Sequence, residues 1–256
     1  MRAYRAVALA RKIGLRMYAR WARLSWPHGV VSFTFDDFPK SALSTGGSIL
    51  ERYGGRGTYY ASMNLARTHR VVGPMFDDED IRSAHHAGHE IACHTYTHLD
   101  CGSAARSLIQ AEICHNAAAL SSVIEGFAAT NFAYPHGRVS PTAKRVLGPR
   151  FSSCRGVREG INHGIIDLAD LRAMPVYASD FDELEIRRLI DRNRAVGGWS
   201  IFYTHDVVDA PSPYGCRPEQ LEAIVAYAAR HATILTVRDV VEDFETATDS
   251  PSQATR

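Results

Sequence analysis

The chain has 256 residues, 45% of them hydrophobic and 22% charged, with a formal net charge of +1. That length fills a single large α/β domain, and the composition excludes a disordered, collagen-like or repetitive chain. No stretch reaches the 18 consecutive apolar residues of a membrane-spanning helix; basic residues cluster at one end with no recognisable nucleic-acid motif, which argues against nucleic acid as a partner.

The charge is unevenly spread. No acid precedes Asp36, whereas Arg2, Arg5, Arg11, Lys12, Arg16, Arg20 and Arg23 all do. Apolar residues alternate with these arginines at helical spacing, which predicts an amphipathic helix within residues 1–28, up to Trp26-Pro27. Such a segment either packs its apolar stripe on its own domain or makes peripheral membrane contact through residues 1–26. Arg11, Lys12 and Arg16 interrupt the apolar run that a signal peptide needs.

Val30, Val31, Phe33 and Phe35 predict a strand that ends on Asp36 and Asp37, with Phe38-Pro39 closing it. Adjacent strand residues point to opposite faces, so both carboxylates reach one site only if the chain bends there. The plainer alternative is a polar strand end running into a turn. Further strands are predicted at 57–61, 89–93, 131–134, 150–153, 172–177, 199–204 and 233–237, and helices at 78–87, 103–124, 140–147, 182–195 and 218–230. Strand and helix in alternation indicate a predominantly parallel α/β fold. The notable polar residues follow strands: Asp36, Asp37, His94, His136 and His205-Asp206. Because C-terminal strand ends meet on one face of a barrel, a barrel is preferred to an open doubly wound sheet.

HTYTH at 94–98 sets two imidazoles four residues apart, on one face if the segment is a helical turn. Five of the twelve histidines fall between His85 and His98. His85 and His86 belong to the preceding helix, and His89 to the beginning of the strand, so they face away from His94; His89 is expected to hold a loop. Two imidazoles and a carboxylate are the three-ligand set of a zinc site with an open position, and iron, cobalt or nickel suit the same donors. Residues 199–204 run into His205, whose unperturbed pKa near neutrality suits a proton donor. A metal-free glycosidase would leave the His94/His98 spacing unexplained, and the G-x-S-x-G elbow of a serine hydrolase is absent. The cysteines, Cys93, Cys101, Cys114, Cys154 and Cys216, are odd in number without a C-x-x-C, which predicts free thiols in a reducing, cytoplasmic compartment.

In combination these residues resemble the polysaccharide deacetylase family, the NodB-homology carbohydrate esterases of family 4. TFDD at 34–37 is similar to its first motif, GHEIACHTYTH at 88–98 to its second, and YTHD at 203–206 to its last. The resemblance implies a distorted (β/α) barrel of about seven strands over residues 29–240, with a polar tail over 241–256. It implies metal-dependent removal of an acyl group from a sugar or glycan, with Zn2+ the first expectation and Co2+, Ni2+ or Fe2+ alternatives. By resemblance, Asp36 is the catalytic base, Asp37, His94 and His98 are the metal ligands, and His205 is the general acid. The backbone at His136, with Tyr134, would face the oxyanion or substrate. An N-linked acetyl group is the expected target; an O-acyl esterase, or a carbohydrate-binding descendant without activity, are the alternatives.

Two motifs depart from the family pattern. Where the family often has R-x-P-Y, this chain has Ala133-Tyr-Pro-His136, so the arginine that pairs with the base is missing, and Arg138 or Arg155 are its candidate replacements. The aspartate-tryptophan pair of the fourth motif is absent from FSSCRG at 151–156, leaving Asp170 or Asp180 to orient His205. An intracellular sugar precursor, lipid- or nucleotide-linked, is the expected substrate.

Overall fold

The computed structural model describes residues 12–24 and 26–249. The chain forms β1 (Trp21–Leu24), β2 (Val30–Asp36), α1 (Ser48–Arg52), β3 (Thr58–Ala61) and a hairpin of β4 (His69–Arg70) and β5 (Gly73–Pro74). Next come α2 (Asp78–His86), β6 (Glu90–Cys93), α3 (Arg106–Val123), β7 (Asn131–Ala133), α4 (Pro141–Leu147), β8 (Ser153–Arg155) and β9 (Gly164–Asp167). β10 (Met174–Pro175), α5 (Glu183–Ala195), β11 (Trp199–Thr204), α6 (Pro218–His231), β12 (Thr233–Ile234) and α7 (Val237–Asp249) complete it. Seven strands make one parallel sheet in the order β10-β11-β2-β3-β6-β7-β8, and β12 adds beside β2. The sheet curls until its edges approach, with Arg155 of β8 bridging to Leu171 ahead of β10. This is the distorted barrel that the motifs imply.

Period-two alternation sorts the side chains of β2. Phe33 and Phe35 enter the main core with Ile49 and Leu50 of α1 and Leu221, Ile224 and Val225 of α6. Ser32, Thr34 and Asp36 therefore face the barrel interior. There, Trp199 Nε1 donates to Ser32 Oγ at 2.9 Å and Thr34 Oγ1 donates to the Phe202 carbonyl at 3.0 Å. Burial on both faces accounts for the near-continuous apolar run. At the barrel's other end the buried Glu90 accepts from Thr58 Oγ1 (2.8 Å), Asn131 Nδ2 (2.7 Å) and the Arg238 N–H (2.8 Å), tying three strands to α7. His89 holds a loop as expected, accepting the Gly57 N–H at 2.9 Å.

The N-terminal segment differs from the helix expected up to Trp26-Pro27. Residues 12–17 are helical, but from Trp21 the chain is a strand, β1, paired antiparallel with β9. The cause is long-range. The Arg20 N–H donates to Asp167 Oδ1 at 2.9 Å, and its guanidinium donates to the carbonyls of Gly148 (2.7 Å) and Phe151 (2.5 Å). Lys144, fully buried, pairs with Asp167 and donates to the Leu15 carbonyl at 3.0 Å. Breaking such a buried pair from one side costs about 3–5 kcal/mol, so this anchor is firm and residue 28 is no structural break. Residues 1–11 lie outside the described residues. At the other end α7 crosses the expected boundary at 240 with Val240 and Val241 buried; of the tail expected over 241–256, residues 250–256 lie outside the described residues.

Candidate active site

Asp36 closes β2 on the inward face. Asp37 and Phe38 then take φ of 62° and 58°, in the left-handed region that side chains disfavour. This bend breaks the strand alternation and turns Asp37 into the same cavity as Asp36. Phe38 offsets the strain by packing on Tyr59 and Phe76, with ring centroids 4.6 and 5.1 Å away.

HTYTH is not a helical turn. Residues 94–98 form a bent loop in which Thr95 and His98 also have positive φ, 62° and 60°. Glu112 of α3, buried, clamps the loop by accepting the N–H groups of Tyr96 (2.9 Å) and Thr97 (2.7 Å) and the Thr97 hydroxyl (3.0 Å). The clamp brings both histidines to one carboxylate: Nε2 of His98 lies 3.3 Å and Nε2 of His94 lies 3.7 Å from Asp37 Oδ1. Donor atoms of the three residues all lie within 4.8 Å of one another.

Three observations test whether these residues fit a metal. Nδ1 of His94 lies 2.9 Å from the Ala133 carbonyl, and a proton donated there leaves Nε2 bare as a ligand atom. Burial, the largest influence, pushes the His94 imidazole down to about 4, and burial lowers His98 too, so both favour the neutral form a ligand needs. Asp37 Oδ1 is buried without a hydrogen-bond donor. Such an oxygen, facing the Nε2 atoms of two imidazoles that favour the neutral form, calls for a cation. The residues fit a divalent ion.

The base candidate has its own partner. Arg155 Nη2 donates to Asp36 Oδ1. Burial would raise the Asp36 carboxyl; Arg155, then His94 and His205, outweigh it and hold the group below its usual range. The guanidinium is fully buried between the rings of Tyr60 and Tyr203, 5.0 and 4.9 Å to the centroids. In the β7–β8 register Arg155 stands directly beside Ala133. The arginine missing from the third motif is thus supplied by the next strand. Arg138 takes no part: it donates to Asp100 at 2.7 Å on the surface.

Tyr134 is also corrected. Its side chain is buried in the core outside the site, and its hydroxyl donates to the Ala169 carbonyl at 2.9 Å. His136, at φ 57°, does border the cavity, its ring 4.4 Å from that of His98. His205 follows β11, and its Nδ1 lies 3.2 Å from the Tyr214 carbonyl. Neither proposed aspartate orients it. Asp170 faces Arg158 at 3.9 Å, and Asp180 accepts from the Ser179 hydroxyl. Asp206 instead holds the following loop, accepting Ser212 N–H and Oγ–H at 2.8 and 2.6 Å. That loop delivers Tyr214, which with Tyr177 packs around His205. Asp36, Asp37, His94, His98, His136 and His205 all line one cavity of about 580 Å³, with Tyr177, Tyr203 and Tyr214 among the remaining walls. Glu112, Tyr177 and Tyr214 carry no local motif, so sequence reasoning missed them.

The fold and this cluster define an α/β barrel with a cation-type donor set and an ion-paired acid at its C-terminal strand ends. The family model for polysaccharide deacetylase matches residues 25–148, the part of the chain that carries the first two of the ordered motifs, in agreement with the resemblance. No curated protein gives a significant match. Among solved structures, a proposed polysaccharide deacetylase from Mycobacterium smegmatis superposes with a TM-score of 0.65 at 20% identity, covering 92% of this chain and 97% of that one. A family 4 carbohydrate esterase from Bacillus subtilis gives 0.58 at 13% identity, covering 91% and 88%. A family 4 acetyl xylan esterase from Clostridium thermocellum, determined with a cobalt ion, gives 0.53 at 20% identity, covering 83% and 90%. At these identities the likeness establishes the fold alone.

Proposed function

We propose that the protein is a divalent-metal-dependent carbohydrate deacetylase that hydrolyses an N-linked acetyl group on a sugar or glycan precursor. The observation that carries this reading is the separation of roles among neighbouring groups. Asp36 is committed to Arg155, while Asp37 Oδ1 has no hydrogen-bond donor among the described residues and faces the two imidazoles. One acid is thereby kept for protons and the other for the ion.

Asp37, His94 and His98 would hold the metal, and their donor set suits zinc first, with cobalt, nickel or iron also served. When bound, such an ion supplies Lewis-acid polarisation of the acyl carbonyl and makes water more acidic. Asp36 accepts the proton of the attacking water. Arg155 engages Oδ1 and keeps the carboxylate ionised, so Oδ2 serves as the acceptor. His136 lines the cavity, and its backbone N–H would be the donor for the developing oxyanion. His205 protonates the leaving nitrogen, since an amine leaves readily where an amide anion would not. The Tyr214 carbonyl takes Nδ1–H, which assigns the proton transfer to Nε2. Tyr177 and Tyr214 offer ring faces for a sugar at the cavity wall.

One observation favours O-acyl substrates as a second reading. A carbonyl stabilises a histidine cation less than a carboxylate would, and an alkoxide needs less help to leave than a nitrogen. A carbohydrate-binding descendant is disfavoured, because it has no use for a buried Arg155–Asp36 pair beside an unneutralised Asp37. The free thiols of all five cysteines agree with a cytoplasmic setting and a small precursor as substrate.

The test is His94→Ala. Wild type purified with metal is expected to hold about one ion per chain at this cluster, and the variant to hold almost none and to release almost no acetate from N-acetylated sugars. Equal metal content in the two proteins, measured by elemental analysis, would remove this site from the reading.

A further inference from the structure

A second cavity, of about 820 Å³, lies outside the proposed catalytic residues and is built largely from the anchored N-terminal segment, β9 and their surroundings. Its lining carries six cations, Lys12, Arg16, Lys144, Arg158, Arg172 and Arg192, against two carboxylates, Asp167 and Asp170. Lys144 is already committed to Asp167, and Arg158 stands 3.9 Å from Asp170. Arg172 donates to the Glu159 carbonyl, and among the described residues no carboxylate forms an ion pair with Lys12, Arg16, Arg172 or Arg192. Four positive charges therefore remain for an anion. Burial, then the neighbouring Arg158, holds the Arg172 guanidinium below its usual range, which agrees with crowded like charge in the cavity.

Charge alone would fit any soluble anion. The rim decides otherwise. Ile13, Met17, Trp21 and Ile165 are 57%, 66%, 57% and 67% exposed, each far more open than a large apolar side chain needs to be. Trp21 and Ile165 line the cavity itself, and Ile13 and Met17, four residues apart on the helical turn that contributes Lys12 and Arg16, form an exposed apolar stripe on that same short segment. Exposed tryptophan and aliphatic residues among unpaired cations are the pattern of a surface that enters the headgroup layer of an anionic bilayer. Residues 1–11 add Arg2, Arg5 and Arg11 without a single acid.

We propose that this face docks on anionic lipid membranes, with Ile13, Met17, Trp21 and Ile165 entering the interface and a lipid phosphate held by the cavity's free cations. The inference does not rest on the deacetylase reading, because it uses none of the proposed catalytic or metal-holding residues. The segment joining the two cavities is short: Val157 lines the first and Arg158 the second.

The test is sedimentation of the full-length protein with phosphatidylcholine vesicles, with and without about 30% phosphatidylserine, at low salt. Binding is expected to the anionic vesicles and to fall at least about tenfold on neutral ones or in roughly 0.5 M salt. Trp21 emission should shift to the blue on binding, a shift lost in Trp21→Phe. The double variant Arg16→Glu/Arg192→Glu should lose at least about tenfold in vesicle partition, at roughly 1 kcal/mol per charge, with unchanged thermal unfolding and acetate release. No binding to anionic vesicles at low salt would overturn the proposal, as would equal binding by the double variant. Inorganic phosphate binding without vesicle binding would make the cavity a soluble-anion site. Loss of a dimer, rather than of vesicle binding, in Trp21→Ala would make the face a contact between two copies. Either result also overturns it.

Discussion

Asp36→Asn is expected to keep its metal and to lose roughly 10²–10⁴-fold in turnover, the usual contribution of a positioned base. Asp37→Asn is expected to do the reverse in kind, weakening the metal first and activity as a consequence. The two residues are adjacent and chemically identical, so only their surroundings separate them. Asp36 is bonded to Arg155, whereas Asp37 Oδ1 is buried with no donor and faces Nε2 of both histidines. An asparagine at 36 keeps a group of the same shape beside the guanidinium and cannot take a proton. An asparagine at 37 removes a charge from the donor set, so excess metal should restore part of its activity while none should restore Asp36→Asn. Metal affinity and acetate release, measured side by side on both variants, check this. If Asp36→Asn loses metal and Asp37→Asn keeps it, the two roles are exchanged.

Arg155→Ala is the second large effect expected. It strips a largely buried carboxylate of its counter-ion, a loss that approaches the roughly 3–5 kcal/mol of a broken buried pair. Part of that cost should appear as lower stability to urea. The rest should appear as lost turnover, because burial would then raise the Asp36 carboxyl unopposed by its strongest neighbour. The strand register supplies a sharper version. Ala133 and Arg155 are cross-strand neighbours, roughly 4.8 Å apart as strands of one sheet. Ala133 packs with Tyr60, the ring against which the Arg155 guanidinium lies, so an arginine at 133 would start from the same interior face. Ala133→Arg placed in the Arg155→Ala background should therefore recover a measurable share of both stability and turnover, while Arg138→Ala should change neither. Recovery of stability without turnover would reduce Arg155 to a packing residue.

Legibility in the sequence followed how local each feature is. The Asp37–His94–His98 cluster was readable because its signals are short: two carboxylates at a strand end and two histidines four residues apart. Even there the expected helical turn was wrong, because the loop is shaped by Glu112 from a helix and by positive φ at Thr95 and His98. The parallel barrel was readable from alternating strands and helices, with edges off by a few residues where strands are short, as in the 172–177 strand that narrows to Met174–Pro175. β9, a four-residue Gly-Ile-Ile-Asp, is too short an apolar run to signal itself. β1 was hidden by a helical pattern of arginines, since its partner lies some 140 residues further along. Arg155 was one of two candidates for the missing arginine, and nothing in the sequence could rank them. That choice is made by register between two strands, a relation one-dimensional spacing does not carry. Tyr134 failed for the opposite reason. Its place in a motif-like stretch drew it to the site, while the chain turns its side chain into the core.

The most direct measurement of the central claim is acetate release from a panel of N-acetylated sugars, with an O-acetyl ester beside them, by protein that is metal-loaded, chelated and then reloaded. Release by the loaded enzyme is expected, with loss on chelation and return on adding zinc or cobalt, and with the folded state unchanged throughout. Release that survives complete removal of the ion, or no acetate from any substrate by protein with one ion bound at Asp37, His94 and His98, would contradict it.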